Sequence, residues 1–197
     1  MSFRLGLTGS IGMGKSTTAK LFEEAGCAVW DADAAVHRMY GKGGKAIAPI
    51  SKVLPDAIKD GAVSRDRLKD LIGKDPSVLK TLEKIVHPLV AEDRAEFSRT
   101  AVADILVFDV PLLFETGGDN TMDAVACVSV SPETQKERVL QRGTMTEAQF
   151  EQIRAKQMPN KEKCAQSDYV IVTDTLDHAR AQVEAIVQTI TEQIENA

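Results

Sequence analysis

The chain has 197 residues, 43% of them hydrophobic, and a formal net charge of −5. That length suits one domain carrying at most a sizeable insertion, and the apolar share supplies a core. The acidic balance, with no block of roughly five or six Lys and Arg, excludes nonspecific nucleic-acid binding, and no stretch approaches the roughly 18 uncharged apolar residues of a membrane span.

The opening "MSFRLGLTGS" has neither the continuous apolar region nor the A-x-A site of a signal peptide. Cys27, Cys127 and Cys164 follow no metal-binding spacing, and the first two lie in apolar runs as small core residues. A soluble protein of the reducing cytoplasm is expected.

Taken in chain order, "FRLGLT" (3–8) reads as a buried strand. A helix from about Lys15 to Ala25 follows, with Gly26 where a C-terminal stop belongs. "CAVWDAD" (27–33) is a second strand ending in carboxylates. The next seventy or so residues hold no convincing strand, whereas "RDRLKDLI", "SVLKTLEKIVHPLV" and "AEDRAEFSRTA" carry helical periodicity, with a break expected at His87–Pro88. "DILVFDVP" (104–111), "DAVACVSV" (123–130) and "DYVIV" (168–172) complete five strands. A final helix places Leu176, Ala179, Val183, Ile186, Val187, Ile190 and Ile194 on one face, with Asp174 as its expected N-cap.

Strands joined by helices imply parallel pairing and right-handed crossovers, hence an α/β fold with a central five-stranded parallel sheet flanked by helices. The core is expected over about 1–36 and 104–197. A helical insertion at about 37–103 would wall one side of the crevice at the carboxyl ends of the strands.

"GSIGMGKS" satisfies G-x-x-x-x-G-K-[ST] with Gly9, Gly14, Lys15 and Ser16 at the fixed places, after a strand and before a helix. Glycines let the loop curl so that its N–H groups form an anion nest, and the helix N-terminus adds partial positive charge. Lys15 would reach the β and γ phosphates, Ser16 would ligate Mg²⁺ and Thr17 would touch the α phosphate. Gly12-Met13-Gly14 is no dinucleotide fingerprint, since Thr17 stands where the third glycine belongs. The expected ligand is a nucleoside triphosphate, ATP.

Asp31 and Asp33 follow the second strand, and Asp109 closes the third. Asp109 reads as a Walker-B aspartate that holds Mg²⁺, or as a turn residue. Asp33 reads as the partner of an acceptor hydroxyl, or as the cap of the helix "AAVHRMY". Arg138 and Arg142 are four apart on one helical face, and Arg154 and Gln157 lie on the next helical pattern. Beside a phosphate loop these arginines would neutralise the transferring group, and the alternative is a solvated, salt-bridged hairpin. His37, His87 and His178 have no zinc spacing.

As a set, "LTGSIGMGKST", "DAD" at 31–33, "DGAVSRDRL", "LEKIVHPLV", "VFDVPLLFE", "QKERVLQR", "IRAKQ" and "SDYVI" resemble the dephospho-coenzyme A kinase family over nearly the whole chain. The resemblance implies a P-loop kinase that uses ATP and Mg²⁺ to phosphorylate the ribose 3′-hydroxyl of dephospho-CoA. It implies a helical CoA-binding insertion and a lid at about 138–158. Carried over by motif, Gly12, Met13, Gly14, Lys15, Ser16 and Thr17 bind ATP, and Asp33 meets the acceptor. Arg65, His87 and Leu112–Leu113–Phe114 line the acceptor side, and Arg138 and Arg142 belong to the lid. The chain departs from the family's pattern at Ser10, where Gly is frequent, and at "VTD" (172–174), where Asn is common. A monomer is expected. Two rival readings are another P-loop small-molecule kinase and a nucleotide-dependent switch. "NKEK" at 160–163 lacks the aspartate of a guanine signature, which weighs against the switch.

Overall fold

A computed structural model describes residues 2–196. Its elements run β1 (Phe3–Thr8), α1 (Lys15–Glu24), β2 (Ala28–Asp31), α2 (Ala32–Tyr40), α3 (Ile47–Val53), β3 (Ile58–Lys59), β4 (Ala62–Val63), α4 (Arg65–Lys74) and α5 (Ser77–Thr100). They continue as β5 (Ile105–Asp109), β6 (Ala124–Ser129), α6 (Pro132–Gln141), α7 (Glu147–Lys156), α8 (Asn160–Gln166), β7 (Tyr169–Val172) and α9 (Leu176–Glu195). The chain divides into two units: residues up to Trp30 with those from Ala101 onward, and Asp31–Thr100.

The first unit is built on a five-stranded sheet in the order β2-β5-β1-β6-β7. The pairs β1–β5, β1–β6 and β6–β7 are parallel, with Leu7 opposite both Asp109 and Ala126. Successive residues of β5 point to opposite faces and are all buried, which is why "ILVFD" reads as a continuous apolar run rather than an alternating one. Ile105 and Val107 join the cluster containing Leu21, Phe22, Val183 and Ile190, from α1 and α9. On β5 the intervening residue Phe108 stacks at a tilt on Trp30, with ring centroids 6.2 Å apart, and the Arg4 guanidinium lies 5.3 Å from the Phe108 ring centre.

The second unit is mainly helical, but it holds a strand pair the sequence reading did not find. β3 and β4 form a two-residue antiparallel hairpin across Asp60-Gly61, both with positive φ. Two pairs are too few to show a period, and only the turn residues mark it. The break expected at Pro88 does not occur, because α5 runs unbroken from Ser77 to Thr100. Val78, Leu82 and Val86 bury one stripe of this helix, while His87 and Pro88 are exposed, so a carbonyl freed by the proline can be hydrated. Asp174 is not the cap of the last helix. Thr175 is, its hydroxyl accepting from the His178 N–H at 3.2 Å. Asp174 instead binds the His178 ring at 2.7 Å, and that contact leads the causes that lower its pKa.

Candidate active site

The loop between β1 and α1 is shaped by positive-φ glycines. Gly12 has φ 80°, and Gly14 caps α1 in the left-handed region with φ 92° and ψ 14°. A β-carbon at Gly12 would lie 2.5 Å from Val139 Cγ2, so strain and close packing both demand glycine there. The N-terminus of α1 has no side-chain cap and no acidic residue in its first turn. Its leading N–H groups are left to an anion.

Lys15 is ion-paired with Asp109, the last residue of β5, and both side chains are largely buried. Ser16 and Thr17 are exposed at the start of α1. Among the described residues no three His, Cys, Asp or Glu side chains group as a metal cage. A hydroxyl at Ser16 and a carboxylate at Asp109 are hard oxygen donors of the kind that suits Mg²⁺, which keeps waters and substrate phosphates as its other ligands.

Arg138 and Arg142 come together beside the loop, as their spacing predicts. They line a cleft of about 270 Å³ with Gly14, Thr17, Thr173 and Leu176. Arg138 donates to the Thr173 hydroxyl at 3.2 Å and to the Thr173 carbonyl at 2.7 Å. The pair therefore stands on the Gly14–Thr17 side of the loop. Arg154 belongs to a second cleft, of about 710 Å³, with Ser10, Met13 and Asn160. There it pairs with Glu151 at 2.7 Å and lies 5.6 Å from the Phe150 ring centre.

Four contributors escaped the sequence reading or were only partly seen. Thr173, 7% exposed, donates its hydroxyl to the Met13 carbonyl at 2.7 Å. Its only signal was a small polar residue directly after the last strand. Gln135 donates to the Ile11 carbonyl at 2.7 Å, and the Ile11 N–H donates to Gln157 at 3.1 Å. Lys163, noted in the sequence only as part of "NKEK", is 0% exposed. It donates to the Pro111 carbonyl at 2.9 Å and pairs with Glu115 at 2.9 Å.

In the unit Asp31–Thr100, Asp31 caps α2 by accepting from the Ala34 N–H at 2.9 Å. Asp33 sits in the first helical turn with its side chain exposed, so the capping duty open to it belongs to Asp31. Arg65 opens α4, exposed, next to its cap Ser64. Burial raises the Tyr40 hydroxyl pKa, and the Arg65 charge draws it partly back.

Leu113 requires a correction. It is 0% exposed and packs on β1, where a β-carbon at Gly6 would meet it at 2.7 Å. Burying an apolar side chain is favourable, and Leu113 is the leucine of the "PLLF" run that the core takes. Leu112, 41% exposed, is the leucine of this loop that faces out.

A model of the dephospho-CoA kinase family (CoaE) matches residues 3–178. A dephospho-CoA kinase of Ruegeria pomeroyi is 72% identical over 190 residues, spanning 96% of each chain. One of Cereibacter sphaeroides is 55% identical over 190 residues, again 96% of each. Among solved structures, TT1252 from Thermus thermophilus superposes with a TM-score of 0.84 at 28% identity, covering 97% of each chain. A dephospho-CoA kinase from Campylobacter jejuni shares the fold with a TM-score of 0.69 at 21% identity, covering 98% of this chain and 99% of that one. An anion-receptive phosphate loop, a lysine held on a strand-end aspartate and full-length likeness to these relatives converge on one assignment: the chain belongs to the dephospho-CoA kinase family.

Proposed function

We propose that this chain transfers the γ-phosphoryl group of ATP to the ribose 3′-hydroxyl of dephospho-CoA, releasing CoA and ADP. The bond from the γ phosphorus to the β–γ bridging oxygen breaks, a bond to the 3′ oxygen forms, and the hydroxyl proton leaves by way of a carboxylate. The observation that carries the reading is the uncapped N-terminus of α1 behind the left-handed Gly12 and Gly14, with Lys15 held at its mouth.

Gly9 and Gly12 to Thr17 form the cradle of the triphosphate, with main-chain amides other than that of Met13, which donates to the Ser10 carbonyl at 3.2 Å. Lys15 turns from Asp109 to the β and γ oxygens. Ser16 and Asp109 would hold Mg²⁺, which neutralises phosphate charge when bound. Arg138 and Arg142 lie beside Gly14 and Thr17, which supports their neutralising the charge of the transferring group, and Arg154 beside Ser10 supports the same role. Asp33, exposed and relieved of capping, orients the acceptor hydroxyl and takes its proton. A loose transition state needs orientation more than a strong base.

Residues 31–100 are assigned to the acceptor, with Arg65 and His87 as contacts. This segment carries 13 Lys and Arg against 11 Asp and Glu, while the rest of the chain carries 11 against 18. The more basic part suits an acceptor bearing a pyrophosphate. Three free cysteines fit a reducing cytoplasm, and no described helix is long and apolar enough to cross a membrane. The working form is proposed to be a monomer.

The test is ADP release across a panel of acceptors. Dephospho-CoA stimulates release many-fold, while a nucleoside monophosphate and shikimate leave it at the acceptor-free rate. Equal stimulation by a nucleoside monophosphate, or none by dephospho-CoA, overturns the assignment.

A further inference from the structure

Ile11 stands at the crest of the phosphate loop, and both polar groups of its main chain are taken by side chains from the helical segment after β6. Gln135 of α6, 3% exposed, donates its Nε2 to the Ile11 carbonyl at 2.7 Å. The Ile11 N–H donates to Oε1 of Gln157, the residue directly after α7, at 3.1 Å. The polarity is forced by the partners, since a main-chain carbonyl only accepts and a main-chain N–H only donates.

Packing supports the same junction. Beside the Val139 contact, a β-carbon at Gly12 would stand 3.1 Å from the Gln135 carbonyl oxygen, so loop and α6 are in van der Waals contact without a spacer. The Gln157 end is anchored as well. The next N–H, of Met158, donates to Glu115 at 2.8 Å, and Glu115 pairs with the buried Lys163.

We propose that Gln135 and Gln157 are positioning residues that clamp the main chain of Ile11 and so set the curvature of the phosphate loop at the end nearest the transferred phosphoryl group. This rests on the reading that the loop grips ATP. The Ile11 amide is committed to Gln157 and the Met13 amide to the Ser10 carbonyl at 3.2 Å, which leaves the amides of Gly12 and of Gly14 to Thr17 for the α and β phosphates. Losing the clamp therefore displaces the γ end while the hold on a diphosphate persists. A misplacement of about 1 Å at a reacting centre costs about 100-fold in rate.

Paired Gln→Glu substitutions test this, because both add the same charge at the same loop. Gln157→Glu keeps an acceptor for the Ile11 N–H and retains kcat within about threefold, whereas Gln157→Leu loses about 10- to 100-fold. Gln135→Glu, when ionised, has no donor for the Ile11 carbonyl and loses about 10- to 100-fold at about pH 8. Its kcat relative to the native enzyme recovers toward about pH 6, as the protonated carboxyl again donates. ADP affinity by calorimetry stays within about threefold throughout.

The clamp is overturned if the two Glu variants lose kcat equally, if the relative pH profile of Gln135→Glu is flat, or if ADP affinity falls in step with kcat. Should Gln135→Glu not fold, the contrast between Gln157→Leu and Gln157→Glu decides alone. Failure of the native enzyme to bind ADP would instead refute the phosphate-loop reading, a distinguishable result.

Discussion

Replacing Lys163 by methionine removes an ammonium that is 0% exposed and leaves a stem of similar length to fill its space. Severing a buried ion pair costs about 3–5 kcal/mol when the partner is left as a buried charge. Here Glu115 is about a fifth exposed and keeps the Met158 N–H, and the Pro111 carbonyl keeps the Thr8 hydroxyl at 3.2 Å. The expected loss is therefore smaller, about 2–3 kcal/mol. For a chain of this size that lowers Tm by about 4–12 °C.

The loss also depends on pH. Burial alone would raise the Glu115 pKa, but the hydrogen bonds from Lys163 and the Met158 N–H outweigh it and hold it below the usual carboxylate value. A depressed carboxylate adds stability that is present above its unfolded pKa and is lost as pH falls through the lowered folded value. The Tm gap between native protein and variant is thus widest near neutrality and narrows in acid. Scanning fluorimetry from neutral pH down to about pH 3, through and below the ordinary carboxylate range, measures it. An unchanged Tm, or a gap that stays constant across that range, would refute the reasoning.

Three further outcomes are expected. Lys15→Ala lowers turnover by about two to three orders of magnitude with the far-UV circular dichroism spectrum unchanged, and near-normal turnover would rule out the proposed cradle. Asp31→Ala lowers stability by about 1 kcal/mol through the lost cap, whereas Asp33→Asn leaves the melt in place and reduces kcat more than it raises KM for ATP. A melt shift confined to Asp33 would exchange the two roles. Thr173→Val removes the hydroxyl bonded to the Met13 carbonyl and to Arg138, and raises KM for ATP about 3- to 10-fold. Steady-state kinetics at saturating dephospho-CoA check that figure, and an unaltered KM would remove Thr173 from the nucleotide side.

What the sequence determined alone is what depends on residues near one another along the chain. The loop needs Gly12 and Gly14 at positive φ and a lysine where α1 begins, all within "GSIGMGKS". The last helix shows its buried stripe of Ala179, Val183, Ile186 and Ile190 at helical spacing. Five apolar runs separated by helical segments imply a parallel sheet, because consecutive parallel strands require crossovers.

Tertiary structure decided whatever depends on which distant groups meet. By sequence the cap of α2 was open only to Asp33, and backbone geometry gave the duty to Asp31. Pro88 stayed inside α5 because the stripe of Val78, Leu82 and Val86 holds that helix down. Nothing local in "NKEK" marks Lys163 for burial, yet Glu115 and the Pro111 carbonyl, 48 and 52 residues away, make its burial tolerable. Ile11 and Gln157 stand 146 positions apart. A hydrogen bond of that span leaves no periodicity in either segment, since its geometry exists only once the sheet has brought the two ends of the unit together.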